Sequence, residues 1–144
     1  QRPKAQHVSQ ARRLLEDFEL CHLLSARVQT LSGGEKQRLA IVRALMQDTH
    51  IMMLDEPTNH LDIRHQRFLL TYLRDLARRQ HKSILVVLHD LTHAHRYADA
   101  VVLLHNGQVV AQGSPNAVMN SEQLSAVYDV DIKAHQTEDG VLFV

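Results

Sequence analysis

Apolar positions along the 144 residues follow two rhythms. Some recur every three or four residues, as on one face of an α-helix. Others run unbroken, as in strands covered on both faces of a parallel sheet. The helical rhythm predicts a helix over residues 6–18, with Val8, Leu14, Leu15 and Phe18 as its stripe. A second is predicted over 33–46, and a third, the clearest, over 64–79 with Leu69, Leu73 and Leu76 at helical spacing. Ser32 followed three residues later by Glu35 has the capping-box spacing and marks the start of the second helix. Residues 20–28 read as a helical turn and a loop. The unbroken runs at 51–54 and 83–88 predict buried strands, and 100–104 a third. A short helix is expected over 91–97. Asn106-Gly107 is a two-residue hairpin turn after which 108–111 returns antiparallel. Gly113-Ser114-Pro115 breaks the chain before two short helices, near 116–119 and 121–128. The end reads as a hairpin with its turn near Asp139-Gly140. Strands alternating with helices imply an α/β fold with a mainly parallel sheet.

Composition narrows the class. Hydrophobic residues make up 44% and charged residues 22%, ordinary for a globular chain long enough to bury one core. Sixteen basic residues balance sixteen acidic ones, which gives no electrostatic case for a nucleic-acid partner. The basic cluster Arg64, Arg67, Arg74, Arg78, Arg79 and Lys82 reads as the solvated face of a helix. Cys21 is the only cysteine, so no disulfide can form within the chain, and a reducing compartment fits. No apolar run approaches the roughly 20 residues that span a bilayer, and no signal peptide is recognisable. A chain that opens at Gln1 reads as a piece of something longer or as a processed product.

The chemistry is concentrated where two predicted strands end. In open parallel sheets, ligands bind beyond the carboxyl ends of the strands. The first strand delivers Asp55 and Glu56, and the second delivers His89. Asp55 is a candidate for Mg²⁺, which favours oxygen ligands. Glu56 can orient or deprotonate a water, and His89 can stabilise a transferring phosphoryl group. Polar residues also occur at strand ends simply because the chain surfaces there; two ends with matching chemistry favour the functional reading. Ser32-Gly33-Gly34 before a helix offers unpaired N–H groups to an anion, or is no more than a capped helix after a flexible turn. A phosphate loop, G-x-x-x-x-G-K-[ST], is missing from these residues, because none of the five glycines is followed by lysine. His89, His93 and His95 lie close in sequence, but a strand-to-helix turn would separate them, so a metal site there is disfavoured.

Four segments in succession carry a family resemblance. "LSGGEKQRLAIVRAL" resembles the signature motif of ATP-binding cassette (ABC) ATPases. "IMMLDEP" is similar to their Walker B strand, "TNHLD" to their D-loop and "LVVLHD" to their switch-histidine loop. The likeness spans essentially the whole chain. It implies an incomplete P-loop NTPase fold. Residues 1–46 would be part of the helical subdomain, and 47–144 the C-terminal part of the ATPase core with a terminal hairpin. The phosphate loop, glutamine loop and adenine-stacking aromatic would lie upstream. The resemblance further implies two cassettes packed head to tail around two ATP molecules. Ser32, Gly33 and Gly34 would contact the γ-phosphate of the partner's ATP. Asp55 would serve Mg²⁺, Glu56 would polarise the hydrolytic water, His89 would bind the γ-phosphate, and Asp62 would lie across the dimer interface. "DIRHQ", "HDLTHAHRYADAVVLLHNGQVVAQGSP" and "YDVDI" resemble importers of iron-siderophore, haem or cobalamin rather than ribosome-acting ABC proteins. Such a subunit would sit on the cytoplasmic face of the membrane as a homodimer. It would dock transmembrane permease subunits and serve a periplasmic or extracellular binding protein indirectly. By itself the chain is expected to be nearly inactive.

Overall fold

The computed structural model describes residues 5–138 and 140–144. It divides into two units, residues 1–87 and 88–144.

In the first unit, α1 (Ala5–Asp17) is followed by two single 3₁₀ turns, Cys21–Leu23 and Val28–Thr30, and by α2 (Gly33–Leu45). Then come β1 (Ile51–Asp55), α3 (Ile63–Gln80) and β2 (Ser83–Val87). The α3 crossover returns β2 parallel to β1, with Ile51 opposite Ser83 and Asp55 opposite Val87. Asp62 caps α3 at its start, and His81, in the left-handed region at φ 51°, closes it by donating its N–H to the Ala77 carbonyl. Arg78 and Arg79 in the last turn complement the helix dipole. Leu14, Phe18 and Leu20 pack with Ile41, Val42 and Leu45 of α2, Met52 of β1, and Leu69 and Leu73 of α3. Phe18 is edge-on to both Phe68 and Tyr72, with ring centroids 5.3 Å apart in each pair. Val8, expected in the α1 stripe, is half exposed, so burial begins at Leu14.

The ladder departs from expectation on one point. Met52, Leu54, Ile84 and Val86 face the helices. The alternate residues Ile51, Met53, Leu85 and Val87 are exposed, Met53 to 72%. The strands are thus covered on one face rather than two, because the helices of this unit all pack on the same face. β2 also ends at Val87, one residue short of the apolar run.

In the second unit, α4 (Leu91–Tyr97) precedes β3 (Val101–His105) and β4 (Gln108–Gly113). These form a hairpin whose turn residues, Asn106 at φ 49° and Gly107 at φ 75°, have the positive φ that a tight two-residue turn needs. The short helices α5 (Pro115–Val118) and α6 (Ser121–Tyr128) follow, then β5 (Ala134–Thr137) and β6 (Gly140–Phe143). Leu103, Val118, Met119, Leu124 and Ile132 form the core. β5 and β6 pair antiparallel as expected, while Asp139, in the expected turn, lies outside the described residues. Among the described residues the strands form three separate two-stranded ladders, of which one is parallel. Only β1 and β2 are joined by a helical crossover; the other pairs are joined by short connections that force antiparallel pairing.

Candidate functional site

Ser32 and Glu35 cap α2 reciprocally. Glu35 N–H donates to Ser32 Oγ at 3.3 Å, and Ser32 N–H donates to Glu35 Oε2 at 2.7 Å. That backbone hydrogen bond from Ser32 is the main cause holding the Glu35 carboxyl below the usual carboxylate range. Capping uses a lone pair of the Ser32 hydroxyl and leaves its proton available to donate. The cap and an anion contact are therefore compatible. Ser32 and Gly33 are exposed at the positive end of the helix dipole. The glycines do a second job. A Cβ on Gly34 would stand 2.9 Å from the His60 carbonyl oxygen, and one on Gly33 would stand 3.6 Å from the His60 Cβ. The turn before α2 thus lies directly on the turn after β1, and at position 34 the backbone approach leaves no room for a side chain.

Asp55 ends β1 and is exposed. Glu56 extends the ladder by one bond, donating its N–H to the Val87 carbonyl at 3.2 Å. It then turns the chain sharply through a left-handed φ of 45°. Such a conformation costs a non-glycine residue about 1 kcal/mol or more and is concentrated at functional sites. The Glu56 carbonyl accepts from Asn59 N–H at 3.1 Å and from Gln37 Nε2 of α2 at 3.4 Å. Its carboxylate accepts from Asn59 Nδ2. Gln66 of α3 donates its amide to the carbonyls of Thr58 and Leu61, at 3.2 and 3.1 Å, and so fixes the rest of this turn. Asp62 then caps α3, its Oδ1 lying 2.8 Å from both the backbone N and the Nδ1 of His65. The His65 N–H is the main reason the Asp62 carboxyl stays below its usual range.

Asp55 suits Mg²⁺ chemically. It is an exposed oxygen donor at a strand end, and Mg²⁺ typically takes one or two carboxylates and completes its shell with waters and phosphate oxygens. Among the described residues no group of three or more His, Cys, Asp or Glu could cage a metal ion.

Ser32, Gly33, Gly34, Asp55, Glu56 and Asp62 therefore fall in the first unit, with His60, Gln37 and Asn59 tying their segments together. His89 falls in the second unit, exposed, just before α4. Next to it, Asp90 caps α4 by accepting from His93 N–H at 2.8 Å, and His95 Nε2 lies 2.8 Å from Asn116 Oδ1.

The sequence profile of the ABC transporter family matches residues 3–59. The hemin import ATP-binding protein HmuV of Shewanella denitrificans is 41% identical over 133 residues, 89% of this chain and 52% of that protein. The ferric enterobactin transport ATP-binding protein FepC of Escherichia coli is 45% identical over 109 residues, 76% of this chain and 40% of that protein. A metal-chelate type ABC transporter solved in an inward-facing conformation superposes with a TM-score of 0.83 at 28% identity, over 99% of this chain and 58% of that one. Over most of its length the chain is thus similar to ABC ATP-binding proteins. It spans about half the length of the curated relatives it matches.

Several residues that shape this site do not stand out in the sequence. Gln37, Asn59, His60 and Gln66 bind or abut backbone of the turn after β1, and no local spacing announces a contact between residues 34 and 60. His65 does carry a local signal, since it stands three residues after Asp62 as an N-cap partner should.

Proposed function

We propose that this chain is the C-terminal part of the ATP-hydrolysing subunit of an importer for haem, iron-siderophore or a related chelate. The observation that carries the reading is the packing of the signature turn, Ser32 to Gly34, against the segment that runs from Asp55 and Glu56 to Asp62. The first presents N–H groups and a hydroxyl to an anion. The second presents two carboxylates at a strand end, followed by a rigid turn. The relatives named for hemin import and ferric enterobactin transport support the substrate class.

In this reading Asp55 would hold Mg²⁺, which when bound screens phosphate charge. Glu56 takes or polarises the proton of the attacking water, its carboxylate oriented by Asn59. His89 donates to the γ-phosphate from its own cassette. Ser32 and the N–H groups of α2 contact the γ-phosphate bound by a second, identical cassette, and Asp62 meets that cassette across the interface. The lysine-bearing phosphate loop comes from cassette residues outside these 144. The subunit works at the cytoplasmic face of the membrane, docked on permease subunits and supplied through a substrate-binding protein. No helix among the described residues is long and apolar enough to cross a membrane.

Affinity purification of the full-length protein from its native membranes tests the assignment. A permease should co-purify, and added haem or ferric siderophore should enter vesicles reconstituted with the complex only when ATP is supplied. Recovery with ribosomal RNA and no permease would contradict it.

A further inference from the structure

We propose that His65 is a positioning residue that locks Asp62 to α2, so that the signature turn and the D-loop carboxylate are presented to a second cassette as one piece. The proposal rests on the reading of Ser32–Gly34 and Asp62 given above.

His65 sits in the first turn of α3 with its side chain only 17% exposed. Its ring is held from both sides. Nδ1 lies 2.8 Å from Asp62 Oδ1, an acceptor when ionised, so Nδ1 carries the proton. Nε2 lies 3.0 Å from Arg38 Nη1, which can only donate, so Nε2 accepts. The two contacts select one neutral tautomer and one direction: Arg38 donates to His65, and His65 donates to Asp62. Arg38 Nη1 also donates to the Phe18 carbonyl at 2.9 Å, which anchors the guanidinium at the end of α1. Glu19 Oε2 approaches Nε2 at 3.4 Å, but the Glu19 carboxylate is taken up by the Arg64 guanidinium, with contacts of 3.0 and 2.5 Å.

Arg38 is one helical turn beyond Gly34, on the same face of α2. The helix therefore makes three ties to the segment 56–65. Gly34 lies on the His60 carbonyl, Gln37 donates to the Glu56 carbonyl, and Arg38 reaches Asp62 through the His65 ring. The first two hold backbone. The third controls where the Asp62 carboxylate stands relative to the signature turn. Capping of α3 needs only the His65 N–H, so the ring contacts are extra to helix formation.

The test uses the full-length cassette and reads kcat for ATP together with the thermal midpoint. H65A should lower kcat about two- to thirtyfold, the scale of substitutions within a coupling network. H65N places an amide near the position of Nδ1 and can still donate to Asp62. It cannot reach Arg38, so the tie to α2 stays broken and its kcat should remain near that of H65A. R38M and D62N should each lower kcat, and the double variant should lose less than the product of the two. An unchanged kcat in H65A, or an H65N restored to the wild-type rate, would overturn the proposal, as would fully multiplicative losses for R38M and D62N. A wild-type cassette without ATPase activity would overturn the functional reading as well. An active wild type with an indifferent H65A overturns this inference alone.

Discussion

Gly34 carries two constraints at once. The proposed function brings a ligand anion to its backbone, and the fold brings the His60 carbonyl. Gly34→Ala should therefore destabilise the protein by about 1–3 kcal/mol through overpacking, even without nucleotide. Urea unfolding would register this as a lower midpoint at unchanged slope, and a midpoint equal to wild type would show that the two turns separate freely. The capping carboxylates make a second prediction. Glu35 and Asp62 are held below the usual range by N–H donors of the folded state, Ser32 and His65 respectively. Their stabilising contribution is present above their unfolded values and is lost as pH falls through the folded ones. Thermal midpoints should thus drop below about pH 4.5, and an E35Q,D62N variant should show a shallower acid limb. The Ser32–Glu35 cap is legible in the sequence, because a capping box is a spacing of three residues; the Asp62 cap emerged only in the structure. The left-handed turn at Glu56 and the contact of Gly34 with His60 are not legible either, because they arise where segments over twenty residues apart meet.

At the scale of elements, α1, α2 and α3 are held around Phe18, which is 1% exposed and edge-on to Phe68 and Tyr72. Phe18→Ala removes the ring that all three helices share a core with, and should cost about 3–5 kcal/mol. Because the Phe18 carbonyl also anchors Arg38, circular dichroism melting should fall by far more than for Val8→Ala, whose side chain is half exposed. Equal losses would mean the core is drawn wrongly. Periodicity placed these helices within a residue or two, since each has a one-sided apolar stripe. It placed the strands as well but misjudged their burial. An unbroken run such as Ile51 to Leu54 shows that a strand can be covered on both faces, but not that it is. In this fold Ile51 and Met53 remain in water. Both hairpins were legible, because their turns carry local signals at Asn106-Gly107 and near Gly140.

For the whole molecule, each unit presents an apolar sheet surface. Ile51, Met53, Leu85 and Val87 share one in the first unit, and Val102, Leu104 and Val109 another in the second. Surfaces of this kind mark places where further structure packs. The chain spans about half of its curated relatives, which matches the proposal that remaining cassette residues supply the phosphate loop. In that proposal Asp55 and Glu56 serve the nucleotide of their own cassette, while Ser32 to Gly34 serve the partner's. The most direct test is steady-state ATP turnover by the full-length cassette and its Glu56→Gln variant, measured beside equilibrium ATP binding. Turnover should fall about a hundredfold or more, the scale of a lost general base, with ATP affinity retained. Turnover at the wild-type rate in Glu56→Gln would contradict the role assigned to Glu56 and the hydrolytic site built around it.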